Sequence, residues 1–592
     1  MNKMFNRRVS RFRIRPLAAL ILLSLGVTEA QAQSRYELEE IVVTSRKIEE
    51  GLQNAPLAVT AISGLELENR GAVDVTDFAS IAPNVALKES GTTSGFSAAP
   101  RTSIRGIGQG DFVINTDPAV GLYADGVYLG RSLGSILDLV DVERVEALRG
   151  PQGTLFGRNS VGGAINVIAI KPDVEAGVNG YTSVAFGEDG YLLLRGSANV
   201  PLSDTVAARV TLLRKERDGF VPSLIYDNLD FGDTETTGGR VALRWTPTDS
   251  FTADLDVDLS ERTDTAAPTF AARVGDLSVG ETGLASGAQP TGISSFVGGR
   301  VFNGEGFTPP VPANIQAFQT DDPLCATSQA YRDSSPTCFG NFYAGSLDGS
   351  FAAFFDREGN LERPDDQTIE TYGYSVRLNW DLENVSISSV SSWRGFDSNF
   401  INGNATPVLL GGNRNEVFEQ DQFSQELQIS GTAFGDKIDW LLGGYYFEED
   451  GYERVVVISP FLPPSFNNSS DFLPIGNIQN RFIDNNSTAL FGQGIAHLTD
   501  TVDLTIGLRR TEDEKFAQYI VLNDNFDPND AGVVNLIGNQ QATETNTLVN
   551  LSWQVTDNTL IYGQFADGFR SGGFPSRLGG GQTEILEYDP EF

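Results

Sequence analysis

The sequence predicts a mainly β protein, a transmembrane antiparallel β-barrel preceded by a small domain of mixed helix and strand. Three observations predict it: an export signal at the start, apolar and polar residues alternating with period two from about Gly177 onward, and connections that switch between short and long.

Residues 1–15 carry Lys3, Arg7, Arg8, Arg11, Arg13 and Arg15 and no acid, and an apolar stretch from Leu17 to Val27 follows. That stretch is shorter than the ~18 residues a spanning helix needs. Ala30-Gln31-Ala32 supplies the small residues a signal peptidase reads, so residues 1–32 are expected to be a signal peptide and the mature chain to begin at Gln33. Arg7-Arg8 lacks the apolar residues that twin-arginine export requires next, which favours the general secretory route. The chain holds 78 acids against 42 bases, a formal charge of -36. Such a surface repels nucleic acid, so no nucleic-acid partner is expected. After residue 32 no apolar run is long enough for a spanning helix, so crossing a membrane requires a barrel.

The alternation supplies that barrel. Phe251, Ala253, Leu255, Val257 and Leu259 share one face of a strand; Thr252, Asp254, Asp256, Asp258 and Ser260 share the other. Val502, Leu504, Ile506 and Leu508 against Asp503, Thr505, Gly507 and Arg509 repeat the pattern, as do Val241, Leu243 and Trp245 against Arg240, Ala242 and Arg244. In a soluble sandwich the apolar faces would pack on each other; in an outer-membrane barrel they meet lipid and the polar faces line the lumen. The connections favour the barrel. Short turns are expected at Pro201–Asp204, Thr246–Ser250, Asp381–Asn384, Thr432–Asp436, Leu498–Thr501 and Val555–Asn558, and long loops at 262–368 and 451–480. Short turns on the periplasmic rim and long loops outside the cell are what transmembrane barrels show. About 13 strands are expected here, against ~22 in the large barrels whose lumen is filled. Residues 173–592 are therefore expected to form a partial barrel, with the native protein continuing beyond Phe592. Cys325 and Cys338 lie thirteen apart in a polar stretch of an exported chain and are expected to form one loop disulfide; no histidine accompanies them, which disfavours zinc.

Residues 48–172 read differently, with short apolar stretches and many glycines. Ser63 is placed to cap a helix carrying Leu65 and Leu67, and Thr76 one carrying Phe78 and Ile81. Leu122 to Tyr128 is a hairpin signal, because Asp125-Gly126 supplies the two positive φ angles of a type I′ turn. In this stretch Ile104-Arg105-Gly106, Tyr123-Ala124-Asp125-Gly126-Val127, Val145-Glu146 with Arg149-Gly150-Pro151, and Gly162-Gly163-Ala164-Ile165-Asn166 follow in order. This succession resembles the plug domain of TonB-dependent receptors. Upstream, Glu40-Ile41-Val42-Val43-Thr44-Ser45 looks like a TonB box; downstream, Gln425-Glu426-Leu427 and Gly568 to Phe574 resemble barrel motifs of the same family.

The resemblance implies that residues 48–172 sit as a plug inside the barrel and that residues 33–47 form a periplasmic extension reaching TonB and its inner-membrane energising complex. Glu40, Ile41, Val42, Val43, Thr44 and Ser45 suit that contact, since a β-branched strip can add a strand to a partner's sheet edge. Arg105 and Arg149 fall where family plugs carry arginines facing barrel carboxylates, with Glu426 the expected partner and Glu512 or Glu514 second choices. Plug loops at Gly91–Arg101 and Gln109–Asp117 are expected to face outward, making Phe96, Arg101, Gln109, Asp111, Phe112 and Asn115 candidate ligand contacts. The implied function is active import of a scarce ligand by a monomer in outer-membrane lipid, most commonly a ferric siderophore, with cobalamin, an oligosaccharide or an aromatic compound as rivals. A passive porin or adhesin is the alternative of another class. No cofactor or resident metal is expected: the glycines of Gly150–Gly163 lack the lysine and Ser/Thr of a nucleotide loop. No catalytic residue is assigned, because the lone His497 is expected in a periplasmic turn with no nucleophile beside it.

Overall fold

A computed structural model describes residues 42–44, 46–47, 50–88, 100–109, 111–134, 141–222, 228–265, 367–403, 413–459, 475–523, 533–576 and 584–592. Glu40, Ile41, Ser45, Phe96, Cys325 and Cys338 lie outside these residues, and so does the expected disulfide.

The alternating half of the chain forms one 13-stranded sheet from Asn179–Phe186 to Thr559–Ala566, in which every strand pairs antiparallel with the next one in sequence. The short connections of this sheet fall where the sequence puts them, for example between Thr248 and Phe251, Asp381 and Val385, Thr499 and Val502, and Thr556 and Thr559. Strands lengthen from 8 residues at Asn179–Phe186 to 25 at Ile475–Thr499. A tilted strand crosses a bilayer in ~9–11 residues. The longer strands therefore rise well past the membrane on the long-loop rim.

Period two sorts the side chains as expected. Val241, Leu255, Tyr374, Leu378, Leu442, Ile506, Leu508 and Leu551 point away from the lumen and are exposed. A soluble protein would hide a belt of this size, and here lipid covers it. Trp245, Trp380 and Trp553 sit near the short turns, where amphipathic rings prefer the membrane interface. Higher on the outer face Glu261, Glu370, Asp397 and Glu419 stand directly opposite one another across four strands. The row places like charges at the closest cross-strand spacing.

The N-terminal domain is built on a five-stranded sheet in the order Val59–Ser63, Val142–Arg149, Gly163–Ala169, Val120–Ala124, Val127–Leu129. Only Gly163–Ala169 and Val120–Ala124 run parallel. Helices Gly64–Asn69 and Val75–Ile81 lay Leu67, Val75, Phe78 and Ala79 on this sheet, against Val120, Val145 and Ile165, and Ile104 of the separate strand Arg101–Ile104 joins the same core. Ser63 caps the first helix as expected. The second is capped by Asp74, whose carboxylate accepts from Thr76 N while Asp77 closes a capping box; Thr76 itself is one residue inside. Asp125 and Gly126 carry φ of 50° and 79°, the turn the hairpin requires.

Candidate functional site: the plug seat in the barrel lumen

The lumen face of the sheet is polar because every second strand residue points inward, and the plug meets it with charge. Arg131, at the end of the plug hairpin, donates through Nε to Glu449 Oε1 (2.6 Å) and through Nη1 to Asp117 Oδ1 (3.2 Å). Asp117 also receives Lys515 of the strand Val502–Asn523, whose Nζ donates to Gly572 O at 2.8 Å. Glu449 is completed by Gln420 Nε2 (2.9 Å) and Asn485 Nδ2 (3.0 Å). All four ionised groups are buried. Burial alone would raise the pKa of Asp117, but Lys515, Arg131 and Arg158 outweigh it and hold the carboxyl well below the usual aspartate range. Arg158 lies 4.4 Å over the Phe447 ring and 3.9 Å from Asp513. A second anchor is Asp141, which accepts from Arg209 Nε (2.5 Å), Thr211 Oγ1 (2.8 Å) and Ser197 Oγ (2.9 Å).

None of these groups is among the residues expected to form the ionic contact. Glu426 instead pairs with Lys47, Nζ to Oε1 3.1 Å, in the segment just before the plug. Arg105 is exposed at the turn between Arg101–Ile104 and Ile107–Gly108, with a φ of 54°. Arg149 ends its strand and, among the described residues, donates to the carbonyls of Pro83 and Val59, both at 3.4 Å. Neither arginine meets Glu426: Arg149 is turned to those two carbonyls, and Arg105 stands exposed on its turn. Glu512 and Glu514 fail for a parity reason: both are exposed, while the buried Asp513 between them points into the lumen.

The outward loop is corrected as well. Phe112 is buried between Phe400 and Phe418, with ring centroids 5.6 and 6.0 Å away. Asn115 donates to Tyr519 Oη (2.5 Å), Phe574 O (3.0 Å) and Pro575 O (2.9 Å). Both residues are buried and seat the loop on the wall. Gln109 and Asp111 are half-buried beside each other, Gln109 Nε2 donating to Asp111 O. Arg101 is half-buried, and among the described residues its Nε and Nη2 have no hydrogen-bond partner, so it keeps donors to offer.

Of the candidate TonB contact, Val42–Val43 pairs antiparallel with Glu50–Gly51. Val43 is buried against Ala55 and Ala61, and Thr44 N donates to the buried Glu146 Oε1 at 2.9 Å. His497 lies at the end of its strand between Asp503 (2.8 Å) and Asp439 (3.0 Å). Both of its ring nitrogens are taken up by carboxylates.

A lumen-lining sheet with a separately folded N-terminal domain held inside it defines a plugged β-barrel of the outer membrane. Residues 51–164 match the TonB-dependent receptor plug domain and residues 314–591 the TonB-dependent receptor-like β-barrel. The chain belongs to the TonB-dependent receptors. It is 32% identical over 246 residues to the pesticin receptor of Yersinia pestis, covering 40% of this chain and 34% of that one. It is also 32% identical over 222 residues to an iron-regulated outer membrane virulence protein of Vibrio cholerae, covering 36% and 33%. Each match thus spans about a third of the curated relative. Among solved structures, the ferric yersiniabactin uptake receptor FyuA from Yersinia pestis superposes with a TM-score of 0.66 at 19% identity, covering 90% of this chain and 68% of that one. The siderophore receptor PiuA from Acinetobacter baumannii gives 0.60 at 16%, covering 88% and 66%. At these identities the superpositions speak for the fold.

Proposed function

We propose that the protein imports a ferric siderophore across the outer membrane, with energy delivered through TonB and its inner-membrane complex. The observation that carries this reading is the plug seat itself: a folded domain held in the lumen by buried ion pairs such as Arg131–Glu449 and Lys515–Asp117, set beside apolar contacts such as Phe112 with Phe400 and Phe418. Buried ion pairs are costly to desolvate and add little net stability over apolar packing, so a seat built on them suits a domain that has to yield. The names of the relatives, receptors for pesticin, yersiniabactin and catecholate siderophores, support iron chelates as the cargo. Within this reading residues 1–32 are the signal peptide, 33–47 the extension, 48–172 the plug and 173–592 barrel. Glu40–Ser45 is the TonB contact, Arg101 touches ligand, Cys325 and Cys338 are joined, and the protein works as a monomer without catalysis. The test compares outer-membrane abundance in iron-starved and iron-replete cells, with radioiron-siderophore uptake in a deletion strain and in a strain lacking TonB. Induction by starvation, with uptake lost in both strains, is expected. Unchanged abundance with normal uptake would redirect the search to cobalamin, oligosaccharides or aromatic compounds, and uptake that survives without TonB would make the protein a passive pore.

A further inference from the structure

His497 is the one histidine of the chain, and the importer reading gives it no task. It stands two residues from the periplasmic end of the strand Ile475–Thr499 and shares the inward face of that strand with the buried Gln493 and Ile495. Asp503, its cross-strand partner, follows Val502, which pairs with the interfacial Trp553. The group therefore lies at the periplasmic mouth, beyond the lipid-covered belt. Nδ1 is 2.8 Å from Asp503 Oδ1, and Nε2 is 3.0 Å from Asp439 Oδ2 of the strand Ile438–Ser459. A neutral imidazole has a single N–H and cannot donate to both carboxylates, so only the imidazolium makes both bonds. Among the described residues neither aspartate has a second ion-pair partner, and one cation answers two acids. The hydrogen bond to Asp503 is the largest cause of a raised His497 pKa and the one to Asp439 adds to it, although partial burial opposes them.

A second observation gives this ring something to hold. The turn between Asn413–Ala433 and Ile438–Ser459 places three successive residues, Phe434, Gly435 and Asp436, at φ of 58°, 67° and 61°. Two of the three carry side chains, and a bulky residue in the left-handed region is strained unless its surroundings hold it there. Packing contributes little, because Phe434 is 80% exposed. His497 reaches the turn from the neighbouring strand at two points. Its backbone N donates to Lys437 O at 2.9 Å, and its ring bonds Asp439 two residues further on. The other charges carried by the adjoining turns, Asp436, the Lys437 side chain and Asp500, are exposed.

We propose that His497 is a pH-operated clasp at the periplasmic mouth, its imidazolium tying Asp439 to Asp503 and with them the strained turn at residues 434–437. Loss of the proton leaves one carboxylate facing a lone pair and both aspartates without a cation, and the turn is released. Since the folded pKa is raised, the contribution of the clasp is complete below the unfolded histidine value of about 6.5 and is lost as pH rises through the folded value. The periplasm exchanges small ions with the medium through water-filled porins, so the clasp responds to the pH of the medium. Its three strands also carry Glu449, Asn485 and Lys515 of the plug seat. The clasp thus fastens the lower end of the wall on which the plug rests, whatever the cargo.

The test uses the intact protein, purified in detergent, with two readouts. Nitrogen-15 NMR of histidine-labelled protein shows one imidazole, and its titration needs no variant. Both ring nitrogens are expected to stay protonated to a higher pH than in the same protein unfolded in urea. The second readout is chymotrypsin cleavage after Phe434, followed by fragment mass, in the wild type, His497→Arg and His497→Gln. Arginine keeps a charge that does not titrate and glutamine has none. Dividing each rate by that of His497→Arg at the same pH cancels the pH profile of the protease. The wild-type ratio is expected to be near one at about pH 5.5 and to rise about fivefold by about pH 9, where it meets a His497→Gln ratio that is high throughout. A histidine midpoint at or below the unfolded one would overturn the clasp. A raised midpoint with a cleavage ratio flat across the titration would overturn its hold on the turn.

Discussion

Glu449 stands in the run Glu448-Glu449-Asp450, and its fate differs from that of its neighbours: Glu448 and Asp450 are on the outer side of the strand, while Glu449 is buried under Arg131. Without Glu449 the guanidinium keeps only its Nη1 contacts to Asp117 and Thr116 O and loses the partner of Nε and Nη2, and breaking a buried pair from one side costs up to about 3–5 kcal/mol. Glu449→Ala is therefore expected to lower the thermal stability of the plugged barrel strongly, and combining it with Arg131→Met to restore much of the loss; differential scanning calorimetry in detergent checks both. The same seat gives a pH dependence. Asp117 has its pKa depressed in the fold, so its stabilisation is complete above the unfolded aspartate value of about 3.9 and is lost as pH falls from there towards the folded value. Plug retention is expected to be flat from pH 7 to pH 5 and to weaken only below about pH 4, and Asp117→Asn to remove that part of the acid sensitivity in a melting series against pH. These groups were hard to find in the sequence because the plug makes the lumen face partly apolar. Leu441 and Phe447 point inward beside Glu449, so the strand does not alternate cleanly enough to reveal which of three acids faces in. Arg158 lies within Gly150–Gly163 and Asp117 at the end of the loop Gln109–Asp117, but nothing in those stretches distinguishes a seat from a turn.

Single strands are where the sequence speaks most clearly. Phe251–Asp264, Val502–Asn523 and Thr234–Thr248 have the two faces their alternation predicts, because lipid and lumen impose opposite demands on successive residues. The small plug elements are less legible. Asp74 takes the cap expected of Thr76, since residues two positions apart can each accept from a first turn and only backbone angles choose between them. The ligand loop misleads for another reason: Phe112 and Asn115 look like surface residues until the wall strands that bury them are in place. The outer row Glu261, Glu370, Asp397 and Glu419 yields a prediction of its own. Asp397 faces a like charge on both sides, so Asp397→Asn is expected to stabilise the barrel by roughly 0.2–1 kcal/mol. The gain should shrink in high salt, as screening already relieves the repulsion. Denaturant midpoints of the two proteins at low and high ionic strength measure it, and a destabilised Asn variant would show that the row is compensated by something outside the chain.

For the molecule as a whole, the barrel class and its handed asymmetry of short and long connections were readable, and the way plug and barrel engage was not. The first property is local: each strand declares its own faces and each turn its own length. The second depends on residues hundreds of positions apart, such as Arg131 with Glu449 or Lys47 with Glu426, and no periodicity in one chain couples them. Sheet order that repeats sequence order has one more consequence. Every wall contact is made by consecutive hairpins, so continuity of the peptide between neighbouring strands adds little once the ladder is zipped. Strands Val385–Gly403 and Asn413–Ala433 are matched residue for residue along their length, from Val385↔Gly431 to Gly403↔Asn413. A single protease nick between Gly403 and Asn413 in the assembled protein is thus expected to leave unheated gel mobility unchanged, the two pieces parting only on boiling. The wall would behave as a row of staves, each held by its neighbours, and tolerant of a missing link at the rim.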